Sequence, residues 1–276
     1  MMNYAICNET FQNWGWAETC NKVAELGYQG IELAPFTLTE DVRTISPQAR
    51  KDYAETAQQA GLEITGLHWL LVSPKGLSLT SPDAALRTKT AHYLAALTDF
   101  CADVGGHTLV LGSPAQRRIP DGDSPTVAAE RLQACLEPAL ERATQHGIVL
   151  CLEPLPPPEA NFILKLQEAV ALLERFDHPA LRTIFDVKSA TSEGTPLPKL
   201  IQQFAPHIAH VHANDANRRG PGFGDTDFVP ILQALHDVAY TKYISIEVFD
   251  YSPDPVTIAR EGLAYLRQCE AQIHRS

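Results

Sequence analysis

Eight short runs of β-branched and apolar residues recur along the chain, at 4–7, 30–33, 64–67, 108–111, 148–152, 183–185, 208–211 and 243–248. Segments with the spacing of one apolar helix face separate them. Ser46-Pro47, Ser81-Pro82 and Ser124-Pro125 each place a serine N-cap before a first-turn proline. Gly27, Gly61, Gly105 and Gly147 stand where such helices stop. Eight alternations of strand and helix predict an α/β protein, a parallel sheet closed into a (β/α)8 TIM barrel. An open doubly wound sheet is the runner-up, but no GxGxxG follows any of the runs. A length of 276 residues suits one barrel. No Gly/Ser-rich linker, low-complexity tract or internal repeat interrupts the chain, so residues 1–276 are expected to form a single domain.

The connections are of two kinds. Those leading into a strand are short, as at 27–30, 61–63 and 105–107. Those leaving a strand are long and rich in polar residues, glycine and proline, notably 69–80, 112–123, 154–161 and 213–227. In barrel enzymes the second kind builds the site, at the carboxyl ends of the strands. Four acidic or imidazole residues stand there on the last four strands: Glu153, Asp186, His212 and Glu247. Each is about one βα unit beyond the one before, so all four reach a similar height and converge on one point. Three carboxylates around one point repel and are costly to bury unless a cation neutralises them. With an imidazole they suit one divalent ion, Mn²⁺, Zn²⁺, Mg²⁺ or Co²⁺, with positions open for substrate oxygens.

In this order of Glu, Asp, His and Glu on strands five to eight, the chain resembles the xylose-isomerase-like TIM barrels, and among them the ketose 3-epimerases and sugar-phosphate epimerases. The likeness extends past the ligands. Glu159 falls where these enzymes place an acceptor for a substrate hydroxyl, and Arg218 where they place a substrate-binding arginine. The run Gly220-Pro221-Gly222-Phe223-Gly224-Asp225 matches the glycine-rich loop that follows, and His68 ends strand three where relatives face the substrate. One departure stands out. Relatives commonly read Asp-x-x-His at strand six, whereas this chain has Asp186-Val187-Lys188-Ser189, making Lys188 a candidate for the missing histidine's role. The resemblance implies a metal-dependent isomerase or epimerase acting on a keto-sugar, sugar phosphate or related polyol through a metal-bound enediolate. Glu153 and Glu247 would serve as its catalytic acid and base. A sugar or inosose dehydratase on the same site is the alternative.

Composition bears on partners. Twenty-two Lys and Arg against 33 Asp and Glu leave a formal charge of -11. That disfavours nucleic acid and anionic membrane surfaces as partners, though not a small phosphorylated ligand. An endonuclease IV-like phosphodiesterase would need more histidine ligands and a basic face, and a non-catalytic sugar-binding barrel would not need three carboxylates. No apolar stretch approaches ~20 residues and no leader pattern is evident, so a cytoplasmic protein is expected; self-association is left open. The six cysteines lack a CxxC pair and read as buried free thiols. His210 shares the face of His212 one layer deeper, as a substrate contact or a packed partner. Glu9 and Glu32 close strands one and two, touching substrate or serving as loop acceptors. His107 and His146 lie at the opposite end and read as structural. Trp14, Trp16 and Trp69 either cover a sugar's apolar face or pack against helices.

Overall fold

All eight apolar runs form strands in the computed structural model, which describes residues 2–273. The strands are β1 (Asn3–Cys7), β2 (Gly30–Leu33), β3 (Glu63–Leu67), β4 (Thr108–Leu111), β5 (Val149–Leu152), β6 (Leu181–Asp186), β7 (Ile208–Ala213) and β8 (Tyr243–Ile246). They close a barrel in sequence order. β1 pairs in parallel with β2 on one side and β8 on the other, setting Ile6 opposite Ile31 and Ile246. Around the strands run α1 (Trp16–Glu25), α2 (Pro47–Gln59), α3 (Ala84–Asp103), α4 (Pro125–His146), α5 (Leu166–Phe176), α6 (Val187–Thr191), α7 (Leu197–Phe204), α8 (Val229–Asp237) and α9 (Pro255–Glu270). No helix of the described residues is long and apolar enough to cross a membrane.

Local chemistry explains most boundaries. Ser124 caps α4 by accepting the Val127 amide, and Ser46 accepts the Ala49 amide at the start of α2. At α3 the expected cap moves. Asp83, not Ser81, receives the Ala85 amide, while the Ser81 hydroxyl accepts the Asp83 amide just ahead of the helix. The four helix-stopping glycines all adopt positive φ, as a left-handed terminus requires.

The chain divides into two compact units. One comprises Met1–Leu33, Glu55–Thr65 and Ile184–Ser276, the other Ala34–Ala54 and Gly66–Thr183, and the cuts fall inside β3 and β6. In the first unit Ile6, Ile31, Leu33, Ile244 and Ile246 are sealed from solvent, and every residue of β7 is buried. In the second, α3 packs against α4, and Leu94, Leu97 and Phe100 of the one and Leu132, Leu136 and Ala139 of the other are buried. Each fully buried leucine or isoleucine contributes roughly 1.5–3 kcal/mol relative to exposure. Gly66 lies opposite Thr108 across β3 and β4, where a Cβ would run into the Thr108 carbonyl. All six cysteines are buried, and none of them is in a disulfide, as expected.

Candidate active site

β6, β7 and β8 deliver three of the four expected donors. Asp186 is the last residue of β6, His212 the fifth of β7, and Glu247 follows β8 directly. Nδ1 of His212 lies 3.2 Å from a Glu247 carboxylate oxygen. Asp186 uses both of its oxygens. Oδ1 accepts the Ser189 amide at 2.6 Å and so caps α6, while Oδ2 accepts from the Asn214 amide group at 2.7 Å. The same Asn214 nitrogen reaches Glu247 at 3.4 Å, and its oxygen accepts the Lys188 amide at 2.9 Å. Asn214 therefore braces two carboxylates at once from a site with no exposure.

Asp186, His212 and Glu247 each offer one donor atom within 4.8 Å of the others, and all three are buried. Glu153, the remaining expected donor, is buried immediately after β5 in the second unit. Burial and then the charge of Glu247 push the Asp186 carboxyl above its ordinary range, against Lys188 and His212, which lower it. Burial disfavours a charged His212, but Glu247 and Glu32 outweigh it and raise its pKa well above the usual value. Crowded carboxylates in a dry pocket hold together only with a positive partner. Two carboxylate oxygens and one nitrogen donor at this spacing fit a divalent metal ion.

Around Glu153 the second unit is shaped to leave room. Gly112 follows β4, and a Cβ there would collide with the Glu153 carboxylate. Arg117 has no exposure and donates through one guanidinium nitrogen to the Ile163 carbonyl at 3.4 Å. Burial lowers its pKa to about 10, opposed by the charges of Glu153 and Glu168.

Beneath the donors lies a group that strand-end reasoning placed elsewhere. Glu32, expected at a loop or at substrate, is wholly buried on β2. It accepts from His210 Nε2 at 2.8 Å and from His212 Nε2 at 3.2 Å to each carboxylate oxygen. Burial alone would raise the Glu32 carboxyl, but the two histidines hold it well below its ordinary range. The Cys7 thiol donates to the same carboxylate at 3.7 Å and lies 3.5 Å from the Ser245 hydroxyl. His210 is thus a packed hydrogen-bonding partner, one of the two roles open to it.

The expected substrate readers are spread over the loops. His68, directly after β3, is buried. Glu9 sits in a buried 3-10 turn after β1. Lys188 is 8% exposed, with its ammonium 4.6 Å from the centre of the Phe249 ring. Arg218 is exposed, adopts a φ of 72°, and sets its guanidinium 5.3 Å from the same ring. Its carbonyl accepts the Phe249 and Asp250 amides, tying this loop to the end of β8. Phe249, which no motif singled out, gathers both cations on its face. Glu159 is exposed and stands outside the metal-competent groups found among the described residues. Trp14 packs edge-on against Phe11, and Trp69 tilts against the exposed Phe36.

Known proteins share this plan. Residues 20–269 match the model of the xylose isomerase-like TIM barrel family. A probable ketose 3-epimerase of Synechocystis sp. is 25% identical over 88% of this chain and 86% of its own length. A D-psicose 3-epimerase of Agrobacterium fabrum is 27% identical over 83% of this chain and 77% of its own. Among solved structures, a D-psicose 3-epimerase crystallised in the presence of D-fructose superposes with a TM-score of 0.84. It covers 97% of this chain and 99% of its own at 22% identity, a likeness of fold.

Proposed function

The chain belongs to the xylose isomerase-like TIM barrel family, and we propose that within it the protein is a divalent-metal-dependent epimerase of ketose sugars or their phosphates, acting at the carbon next to the carbonyl. The observation that carries this reading is the convergence of Asp186, His212 and Glu247 within 4.8 Å, with Glu153 at the end of β5 as the proposed fourth ligand. The names of the relatives, which are ketose and psicose 3-epimerases, support the substrate class.

Asp186 and His212 would hold the metal together with the two glutamates. When bound, the ion supplies Lewis acidity that makes the C–H beside a ketose carbonyl removable near neutral pH. Inversion at that carbon needs a group that takes the proton on one face and another that returns one on the other. Glu153 and Glu247 suit the two tasks. They come from β5 and β8, and each stands at a strand end that cannot swing freely. Asn214 keeps the Glu247 carboxylate turned inward, and the missing side chain of Gly112 gives the Glu153 carboxylate its place. Arg218 and Lys188 supply cations for substrate oxygens or a phosphate, with Glu159 and His68 as hydroxyl partners.

Exchange of the substrate C3 proton with deuterated water, followed in the Mn²⁺-loaded protein over a panel of ketoses, tests this directly. Wild type should exchange that proton and invert the centre. Glu153→Gln and Glu247→Gln, each shown to retain metal, should lose turnover by roughly 10²–10⁴-fold, and one of them should keep exchange from a single face. If only one substitution matters, a one-base aldose–ketose isomerase replaces the epimerase. Near-normal turnover in both metal-loaded variants would place the acid–base chemistry on other residues.

A further inference from the structure

We propose that Glu32, braced by His210, is a positioning residue that presents Nδ1 of His212 to the metal; the inference rests on the metal-dependent reading above. It follows from the two ends of one imidazole. Nδ1 of His212 faces the Glu247 carboxylate at 3.2 Å, on the side where the donors meet. Nε2 faces Glu32 at 3.2 Å from both oxygens. Both ring nitrogens face a carboxylate, but only Nδ1 lies on the Glu247 side, where an ion would sit. With that nitrogen given to the ion, Nε2 keeps the proton and donates it to Glu32, which can only accept. Glu32 thereby selects the ring nitrogen that binds and the direction in which it points.

His210 completes the device. It sits two residues before His212 on β7, so both rings enter the barrel from the same face of the strand. The ring centroids are 5.1 Å apart and nearly perpendicular, and His210 donates to Glu32 at 2.8 Å. A carboxylate gripped by two N–H donors cannot rotate away from either. Glu32 and His210 are 0% and 2% exposed, so no water competes for these bonds in bulk fashion. The same three side chains could alternatively hold a second ion, since Glu32, His210 and His212 also bring donor atoms within 4.8 Å. The bonded distances favour the hydrogen-bonded triad, because at 2.8 Å the Glu32 and His210 atoms are already in direct contact.

The test uses Zn²⁺ alone as the probe. Titration calorimetry gives affinity and stoichiometry, and ¹⁵N chemical shifts of the zinc-loaded protein report which His212 nitrogen holds the metal. Wild type should bind one ion, with zinc on Nδ1 and a proton on Nε2. Glu32→Gln puts an amide nitrogen where one acceptor oxygen stood, and should weaken zinc binding roughly 10- to 100-fold. His210→Asn should weaken it less and leave zinc on Nδ1. Zinc on Nε2 in wild type, a stoichiometry of two, or a Glu32→Gln affinity within twofold of wild type would each overturn the proposal. A merely structural Glu32 would lower the melting temperature of the metal-free protein without touching zinc affinity. If Glu32→Gln fails to fold, the wild-type nitrogen assignment and the His210→Asn titration decide the matter. Zinc bound as described in a protein that turns over no ketose would remove the proposed function and leave the positioning role intact.

Discussion

Gly112 shows how tightly a single residue can govern the site. Its backbone conformation is open to any amino acid, and only the Glu153 carboxylate occupies the space where a Cβ would go. Gly112→Ala should therefore fold normally, because the obstructed atom is the end of a flexible side chain rather than backbone. The carboxylate, however, must move. A displacement near 1 Å at a catalytic group can cost about 100-fold in rate, so the variant should lose turnover by at least tenfold. Circular-dichroism melting beside steady-state kinetics checks both halves, and an equally large loss of stability would refute the steric account. The cluster of Asp186, His212 and Glu247 was legible in sequence because its spacing repeats the βα unit. The partners of Glu32, and Asn214 itself, were not. Both do their work through partners brought near by barrel closure, and the spacing along the chain carries no sign of that. A lone acid within the otherwise apolar Gly-Ile-Glu-Leu of β2 was the one available hint.

At the scale of elements, the sequence revealed all eight strands and blurred their ends. β6 and β7 run on to Asp186 and Ala213, past the apolar cores that marked them at 183–185 and 208–211. The reason is functional placement. Asp186 and His212 are polar residues in strand positions, and an apolar pattern cannot count them as strand. The start of α3 was displaced for a different cause. Ser81-Pro82 has the form of a cap and first turn, yet Asp83 lies between it and the helix and accepts the Ala85 amide at 2.9 Å. Asp83→Ala should lower stability by about 1 kcal/mol in denaturant titration, the usual contribution of an N-cap side chain. Ser81→Ala should have the smaller effect, since the Ser81 hydroxyl bonds only the Asp83 amide outside the helix. The reverse order would return the cap to Ser81.

For the whole molecule, a buried cluster of like charges that holds the proposed ion would make stability depend on it. A ligand that binds only the folded state stabilises by RT ln(1 + [L]/Kd), about 2.7 kcal/mol at 100 times Kd. Saturating Mn²⁺ should raise the melting temperature by several degrees, and EDTA should reverse the shift. Glu153→Gln together with Asp186→Asn, which removes two of the repelling charges, should melt at nearly the same temperature with and without the ion. An unchanged melting curve for wild type would count against a metal at these four residues. The layout of the site has a further consequence. Asp186, His212 and Glu247 stand on or directly after barrel strands that share an unbroken ladder of hydrogen bonds, and Glu153 follows another. Glu159 and Arg218 stand on connecting loops, and Lys188 on the short α6. If these three read the substrate as proposed, mutation there would alter what the protein prefers to eat while its chemistry is inherited intact. A lineage carrying this barrel could then change diet by drifting at a few positions off the strands, and a breeder of enzymes could follow the same route, varying 159, 188 and 218 and leaving the strands alone.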